Sequence, residues 1–163
     1  MRNHSAKVQK SAIKWVNVAD YVFQGGAGLL LDGKGRMTVP ARHRDVLRAV
    51  ASDQLTITKH PKRCLLVFPR PAWEQFRDKL LTLPMSAEDW RRVFLGGAMD
   101  VEIDAASRLL IAPELREWAG LERDVLLLGM GSRFELWDKV RHDAHEATVL
   151  AAGMPDVLRD HVM

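Results

Sequence analysis

The chain is poor in several features that would otherwise narrow its function at once. It has one cysteine, Cys64, in 163 residues, so no intrachain disulfide can form. That thiol lies in the apolar run Cys64-Leu65-Leu66-Val67-Phe68, which predicts a buried, inert sulfur in a reducing compartment. No apolar stretch approaches the ~20 residues that span a bilayer. The basic N-terminus is followed by no continuous apolar segment of the secretory kind. A cytoplasmic location with no membrane partner is expected. Chemistry-bearing motifs are equally scarce. There is no Ser-His-Asp arrangement in a recognisable context, no P-loop and no dinucleotide fingerprint. His142 and His145 stand three apart with no third ligand nearby, so an exposed helix face is expected rather than a metal site. These absences argue against an enzyme, a cofactor, a metal and a small-molecule substrate.

Charge of one sign is also in short supply. The net charge is +3 and the isoelectric point about 9.2. That is too little for a polycation that coats nucleic acid without selection. A nucleic-acid partner would need the charge focused locally or multiplied by oligomerisation.

What is present is a duplication. Asp32-Gly33-Lys34-Gly35-Arg36-Met37-Thr38-Val39-Pro40 reads as a strand end, a turn, a strand and a helix start. Gly33 and Gly35 permit positive φ on either side of Lys34, lifting it to a tight tip with Arg36 just below. The pattern returns as Asp104-Ala105-Ala106-Ser107-Arg108-Leu109-Leu110-Ile111-Ala112-Pro113. Asp32 matches Asp104, Arg36 matches Arg108 and Arg44 matches Arg116, all at an offset of 72 residues. Alone, a Lys-Gly-Arg turn is ordinary surface charge; its recurrence points to a phosphate backbone or base edge as target. Asp32 and Asp104 are expected to cap these turns or pair with Arg36 and Arg108. Arg44 and Arg116 are expected to tie a helix to its turn, with nucleic-acid contact the lesser reading.

The rest falls into two similar halves. Residues 1–21 predict a flexible extension, with a natural start near Val22 as an alternative. Residues 22–83 give a strand at 27–31 paired across the turn with 36–39, a helix from Pro40 to Ala51, strands at 55–59 and 64–68, and a helix from Ala72 to Leu83. Residues 84–98 predict a bridging helix, N-capped by Ser86 and stopped at Gly96-Gly97. Residues 99–152 repeat the plan: paired strands at 99–103 and 108–111, a helix at 113–119, strands at 124–128 and 134–137, and a helix at 139–152. The tail 153–163 reads as loose. Trp73, Trp118 and Trp137 fall in apolar patterns and predict core, while Trp90 is a candidate for a subunit contact. Two hairpins this short cannot bury a core alone, whereas two copies packed together can. The fold class is therefore α+β, with a pseudo-twofold barrel flanked by helices.

These residues resemble the MraZ family over about Val22 to Leu150. The resemblance rests on Asp32-x-Lys34-Gly35-Arg36 with Pro40 and Arg44, on Arg108 to Pro113 with Leu115-Arg116, and on Phe134-Glu135-Leu136-Trp137. It implies a duplicated swapped-hairpin double β-barrel related to AbrB and SpoVT domains. It implies a nucleoid-associated transcriptional regulator, ring-shaped as a homo-oligomer, binding short tandem repeats upstream of the division and cell-wall gene cluster. Carried over, the DNA-reading residues are Lys34, Arg36 and Arg108, with Arg42 and Arg44 adding charge. An antitoxin-like or protein-interaction module on the same barrel is the alternative. The chain departs from the family pattern at Ser107, where glycine is usual. Serine tolerates positive φ less well, so a reshaped second turn is expected.

The halves also differ in sign. Residues 32–50 carry a net +3 and residues 104–122 a net −2. The first copy is therefore expected to carry most of the DNA contact. The acidic second copy of one subunit would meet the basic first copy of the next, closing a ring if the rotation allows.

Overall fold

A computed structural model describes residues 21–162. The expected extension over residues 1–21 lies outside the described residues apart from Tyr21, whose ring packs 4.8 Å from Phe23. The described chain is α+β, with eight strands and six α-helices. In order these are β1 (Gly26–Leu30), β2 (Arg36–Thr38), α1 (Ala41–Ala51), β3 (Gln54–Lys59), β4 (Leu65–Pro69) and α2 (Arg70–Leu81). There follow α3 (Glu88–Gly96), β5 (Met99–Glu102), β6 (Arg108–Leu110) and α4 (Pro113–Ala119). The chain continues with β7 (Asp124–Gly129), β8 (Phe134–Asp138), α5 (Lys139–Ala152) and α6 (Asp156–Val162).

Strand pairing overturns part of the sequence reading. The strands flanking each duplicated turn were expected to pair with each other. Instead β1 pairs with β7 and β5 with β3, while β2 and β6 pair with one another as a separate ribbon. All pairs are antiparallel, and the larger sheet has the order β1-β7-β8-β4-β3-β5. The cause is burial. Met37 and Leu109 face each other in the ribbon and are each 1% exposed. Neither could be covered by its own short hairpin, and each finds its cover in the other half. β3–β4 and β7–β8 do pair as expected.

The registers map onto themselves under the repeat. Shifting the rung Arg36–Leu110 by 72 residues gives Arg108–Thr38, another rung of the same ladder. Leu66 and Glu135, 69 residues apart, are direct partners in β4–β8. The strand order reads the same backwards once β1 is exchanged for β5, β3 for β7 and β4 for β8.

Burial follows position in the sheet. β4 and β8 are central and covered on both faces, so every residue in them is buried. β1 lies at an edge and alternates between exposed and half-buried. Leu65, Val67, Phe134 and Leu136 join Met37, Leu109, Ile111 and Leu115 in the main core. Leu66 and Phe68 point the other way, into a second cluster with Trp73, Phe76 and Phe94. Cys64 is fully buried, as expected. Burial first, and the neighbouring Glu135 carboxylate second, push its thiol well above the usual range.

Other expectations need correction. Ser86 does not cap α3; it sits in a 3₁₀ turn, Met85–Ala87, and Ala87 precedes the helix with no side-chain cap. Glu88 and Asp89 in the first turn of α3 suit its positive end instead, with Arg92 bonded to Asp89 at 2.6 Å. α2 ends at Leu81, leaving Leu83 outside it and 46% exposed. α3 lies on β3 and α2: the Thr58 hydroxyl donates to the Phe94 carbonyl, and Phe94 meets Phe76 edge-on at 5.3 Å. The segment from Asp156 is not loose but helical; the carbonyl of Pro155 accepts from the amides of Leu158 and Arg159. Pro155 therefore starts a helix rather than only ending one.

Candidate functional site

Each duplicated turn is locked from within by its aspartate. Asp32 Oδ1 accepts the backbone N–H of Lys34 and of Arg36, both at 2.9 Å, and Oδ2 accepts Arg36 Nε at 2.8 Å. Asp104 does the same for Ala106 (2.9 Å), Arg108 (2.8 Å) and Arg108 Nε (3.1 Å). Backbone bonds close both turns alike: Gly35 N–H to Asp32 O at 3.0 Å, and Ser107 N–H to Asp104 O at 2.9 Å. A short acceptor that can turn back on its own backbone suits this role, and aspartate is such a residue.

The corners of the two turns match as well. Gly35 has φ 81° and Ser107 has φ 65°. The second turn is therefore not reshaped by serine, contrary to expectation. The left-handed backbone costs a non-glycine residue about 1–2 kcal/mol, and the Asp104 bonds hold it there. Gly33, by contrast, does not use the positive φ it was expected to supply; among the turn residues only Gly35 and Ser107 do.

The ribbon then places the arginines. Directly paired residues share a face, and alternate residues along a strand share it too. Met37 and Leu109 point into the core, so Arg36, Thr38, Arg108 and Leu110 all lie on the outer face. Arg36 and Arg108 are diagonal neighbours there, a separation of about 7–8 Å. Their side chains are 26% and 37% exposed. Each Nε is spent on its aspartate; among the described residues the two Nη groups of each arginine have no hydrogen-bond partner. A guanidinium so fixed presents a rigid fork, able to grip a planar or tetrahedral anion. Lys34 stands exposed at the first tip, with Ala106 at the matching place in the second turn. Thr38 and Leu110 were missed by the motif reading; strand alternation through Met37 and Leu109 would have found them.

Residues 22–93 and 94–157 each match the family described as "MraZ protein, putative antitoxin-like". The chain belongs to the MraZ family. It is 65% identical over 143 residues to the transcriptional regulator MraZ of Methylibium petroleiphilum, covering 88% of this chain and 98% of that protein. The transcriptional regulator MraZ of Leptothrix cholodnii is 62% identical over 143 residues, with the same coverage. That of Burkholderia cenocepacia is 58% identical over 139 residues, or 85% of this chain and 98% of its own.

The other candidate residues of this MraZ-family chain divide by location. Arg116 was expected to tie its helix to its own turn; its side chain instead reaches the first turn. Its Nε donates to the Ile111 carbonyl at 2.9 Å, and its side chain lies across Gly35, where a Cβ would fall 2.5 Å from Nε. Arg44 is half-buried, and its side chain makes no hydrogen bond or ion pair among the described residues. Arg42 is not brought to the turns: its Nη2 donates to the Gly26 carbonyl at 3.2 Å, at the far end of β1. Six extended residues, about 20 Å, separate Gly26 from Asp32. Trp73 and Trp137 are each 5% exposed and belong to the interior, while Trp118 is half-buried under Arg63, 4.7 Å from its ring centroid. His142 and His145 do not form an exposed face. His145 stacks on Trp137 at 5.2 Å and His142 meets it edge-on at 5.6 Å. Among the described residues no cluster suits a metal ion, and no helix is long and apolar enough to cross a membrane.

The lock has a titration signature. Backbone hydrogen bonding from Arg36, with its guanidinium as a further cause, lowers the Asp32 carboxyl from 3.8 to about 2. Asp104 is lowered for the same reasons. A depressed carboxyl stabilises the fold above its unfolded pKa and loses that contribution as pH falls through the folded one. The Lys34 and Arg36 amide resonances should therefore hold their positions down to about pH 3 and move with a midpoint near 2. A midpoint at the ordinary carboxylate value, followed by NMR titration, would contradict the lock.

Proposed function

We propose that the chain is a sequence-specific, DNA-binding transcriptional regulator whose reading surface is the outer face of the β2–β6 ribbon. The observation that carries this is the pair Arg36 and Arg108, held on one face of the ribbon with both Nη groups unpartnered among the described residues. A two-stranded ribbon fits the major groove, and an arginine fork matches the O6 and N7 acceptors of guanine. Lys34 at the tip suits the flanking phosphate. The names of the relatives, transcriptional regulator MraZ, support the same reading. It is a non-catalytic, cofactor-free and cytoplasmic role, associated with the nucleoid.

The architecture in this reading is a duplicated swapped-hairpin double barrel. Its repeats are 22–83 and 99–152, with 84–98 between them and 153–163 as tail. The self-mapping registers and the exchange of hairpin partners between halves support it. So do the two successive family matches.

Magnitude argues for an oligomer. One good arginine–guanine pair discriminates by about 1–3 kcal/mol. Specific binding is usually better than non-specific by about 4–10 kcal/mol. Linked subunits on repeated boxes supply the difference through effective concentration. The family resemblance implies the target: a set of short tandem repeats upstream of the division and cell-wall gene cluster. The assembly is a ring in which the acidic second window meets the basic first window of the next subunit.

Two measurements check this. In gel-shift assays with DNA from upstream of its own gene, wild type should bind with a steep loss on adding salt. Arg36→Ala should abolish specific binding, and Lys34→Ala should weaken it with little change in sequence preference. Wild-type affinity in Arg36→Ala contradicts the assignment. Light scattering of the free protein should give a closed multiple of 18.4 kDa; a single-chain mass contradicts the ring.

A further inference from the structure

A second feature lies on the side of the sheet turned away from the ribbon. Glu135 pairs directly with Leu66 across β4–β8, and directly paired residues share a face. Leu66 belongs to the cluster around Trp73, whereas Phe134 and Leu136 join Met37 and Leu109 of the ribbon in the main core. Glu135 therefore points away from the ribbon. It lines an open cleft of about 310 Å³ between the β3–β4 turn, the β7–β8 hairpin and α5.

The fold uses only half of this carboxylate. Glu135 is 8% exposed, and its Oε1 accepts Trp137 Nε1–H at 2.9 Å and the Cys64 thiol at 3.8 Å. Oε2 has no hydrogen-bond partner among the described residues, and solvent reaches it. Both bonds to Oε1 need an acceptor but no charge, so they do not account for a carboxylate at this position. Neither neighbouring base neutralises it. Lys62 N–H donates to His60 Nδ1 at 3.0 Å, which requires the neutral ring, and burial lowers the pKa of that ring. Arg133 also stands near His60, but no ion pair joins it to Glu135 among the described residues, and its Nε is unpartnered. A buried charge short of donors is costly, and a ligand that brings a donor relieves the cost.

The rest of the lining suits an occupant with one charged end. Leu128, Met130 and Val149 give apolar walls, and Glu146 adds a second carboxylate against the single cation Lys62. We propose that this cleft binds a small organic cation, an amine or amidine with a compact apolar body, whose N–H groups meet Glu135 Oε2 while the body lies against Leu128, Met130 and Val149. Hydrogen bonds with charge on both partners are the strong ones. The volume stands at the lower end of small-molecule sites, about 300–1,000 Å³, which favours a compact ligand. This is a binding site rather than a catalytic one, and it is separate from the DNA-reading surface.

The indole N–H of Trp137 reports on the site, because it shares the Glu135 carboxylate with the ligand. Benzamidine and cyclohexylamine, added separately to the full chain at neutral pH, should shift this resonance saturably in heteronuclear NMR, with a Kd of about 1 mM or tighter for at least one of them. Benzoate, a similar ring of opposite charge, should leave it in place. Glu135→Gln keeps an acceptor for Trp137 and Cys64 and should weaken binding by about 10-fold or more. Val149→Trp fills the mouth of the cleft from a half-exposed position on α5 and should abolish binding without touching the core, so the inference stays testable if the glutamine variant does not fold. An indole silent to both cations, an equal response to benzoate, or wild-type affinity in either folded variant overturns the inference. None of these outcomes bears on the DNA reading.

Discussion

Asp32 and Asp104 each grip three N–H groups of their own turn, and much of the molecule follows from that grip. It sets the angle at which one strand leaves the large sheet and the next enters the small ribbon. It also fixes the arginine beneath each tip by its Nε, while the two Nη groups have no hydrogen-bond partner among the described residues. A flexible arginine must lose rotamer freedom when it meets a ligand; one already held has less to lose. The same carboxylate therefore serves the fold and prepares the surface.

The ribbon exists because neither half can close its own core. Met37 and Leu109 are opposite one another and fully interior, and the rungs on either side of them carry Arg36 and Arg108 outward. Apolar burial between halves thus decides which charges become neighbours. Once the duplication is fixed in this arrangement, single positions can diverge at little cost to the core. Gly35 and Ser107 are one such pair, Lys34 and Ala106 another, and the acidic drift of the second window a third.

Elements were more legible in the sequence than their partnerships. α5 was expected over residues 139–152 and runs over them, because a polar stretch between Trp137 and Gly153 leaves few alternatives. Pairing of the strands flanking the turns was misread, since a tight turn looks like a hairpin until the burial of Met37 and Leu109 is known. Ser107 was read as damage to the turn; the bonds that hold it come from Asp104, three residues earlier, and outweigh a local preference. His142 and His145 looked exposed because histidine on a polar helix usually is, yet the face of Trp137 gave them a partner. Arg42 counted toward a basic window, but a count of charge does not say that its guanidinium turns back to Gly26. The candidate site was legible as two turns and invisible as one face.

The central claim is that a nucleic acid meets this chain on the ribbon and its two turns. Backbone amide shifts recorded as a duplex from upstream of the gene is added test it most directly. The account places the changes at residues 32–38 and 104–110 and leaves the far side of the sheet, around Trp73 and Trp137, unmoved. Changes centred on α2 and α5, with the ribbon silent, would contradict it.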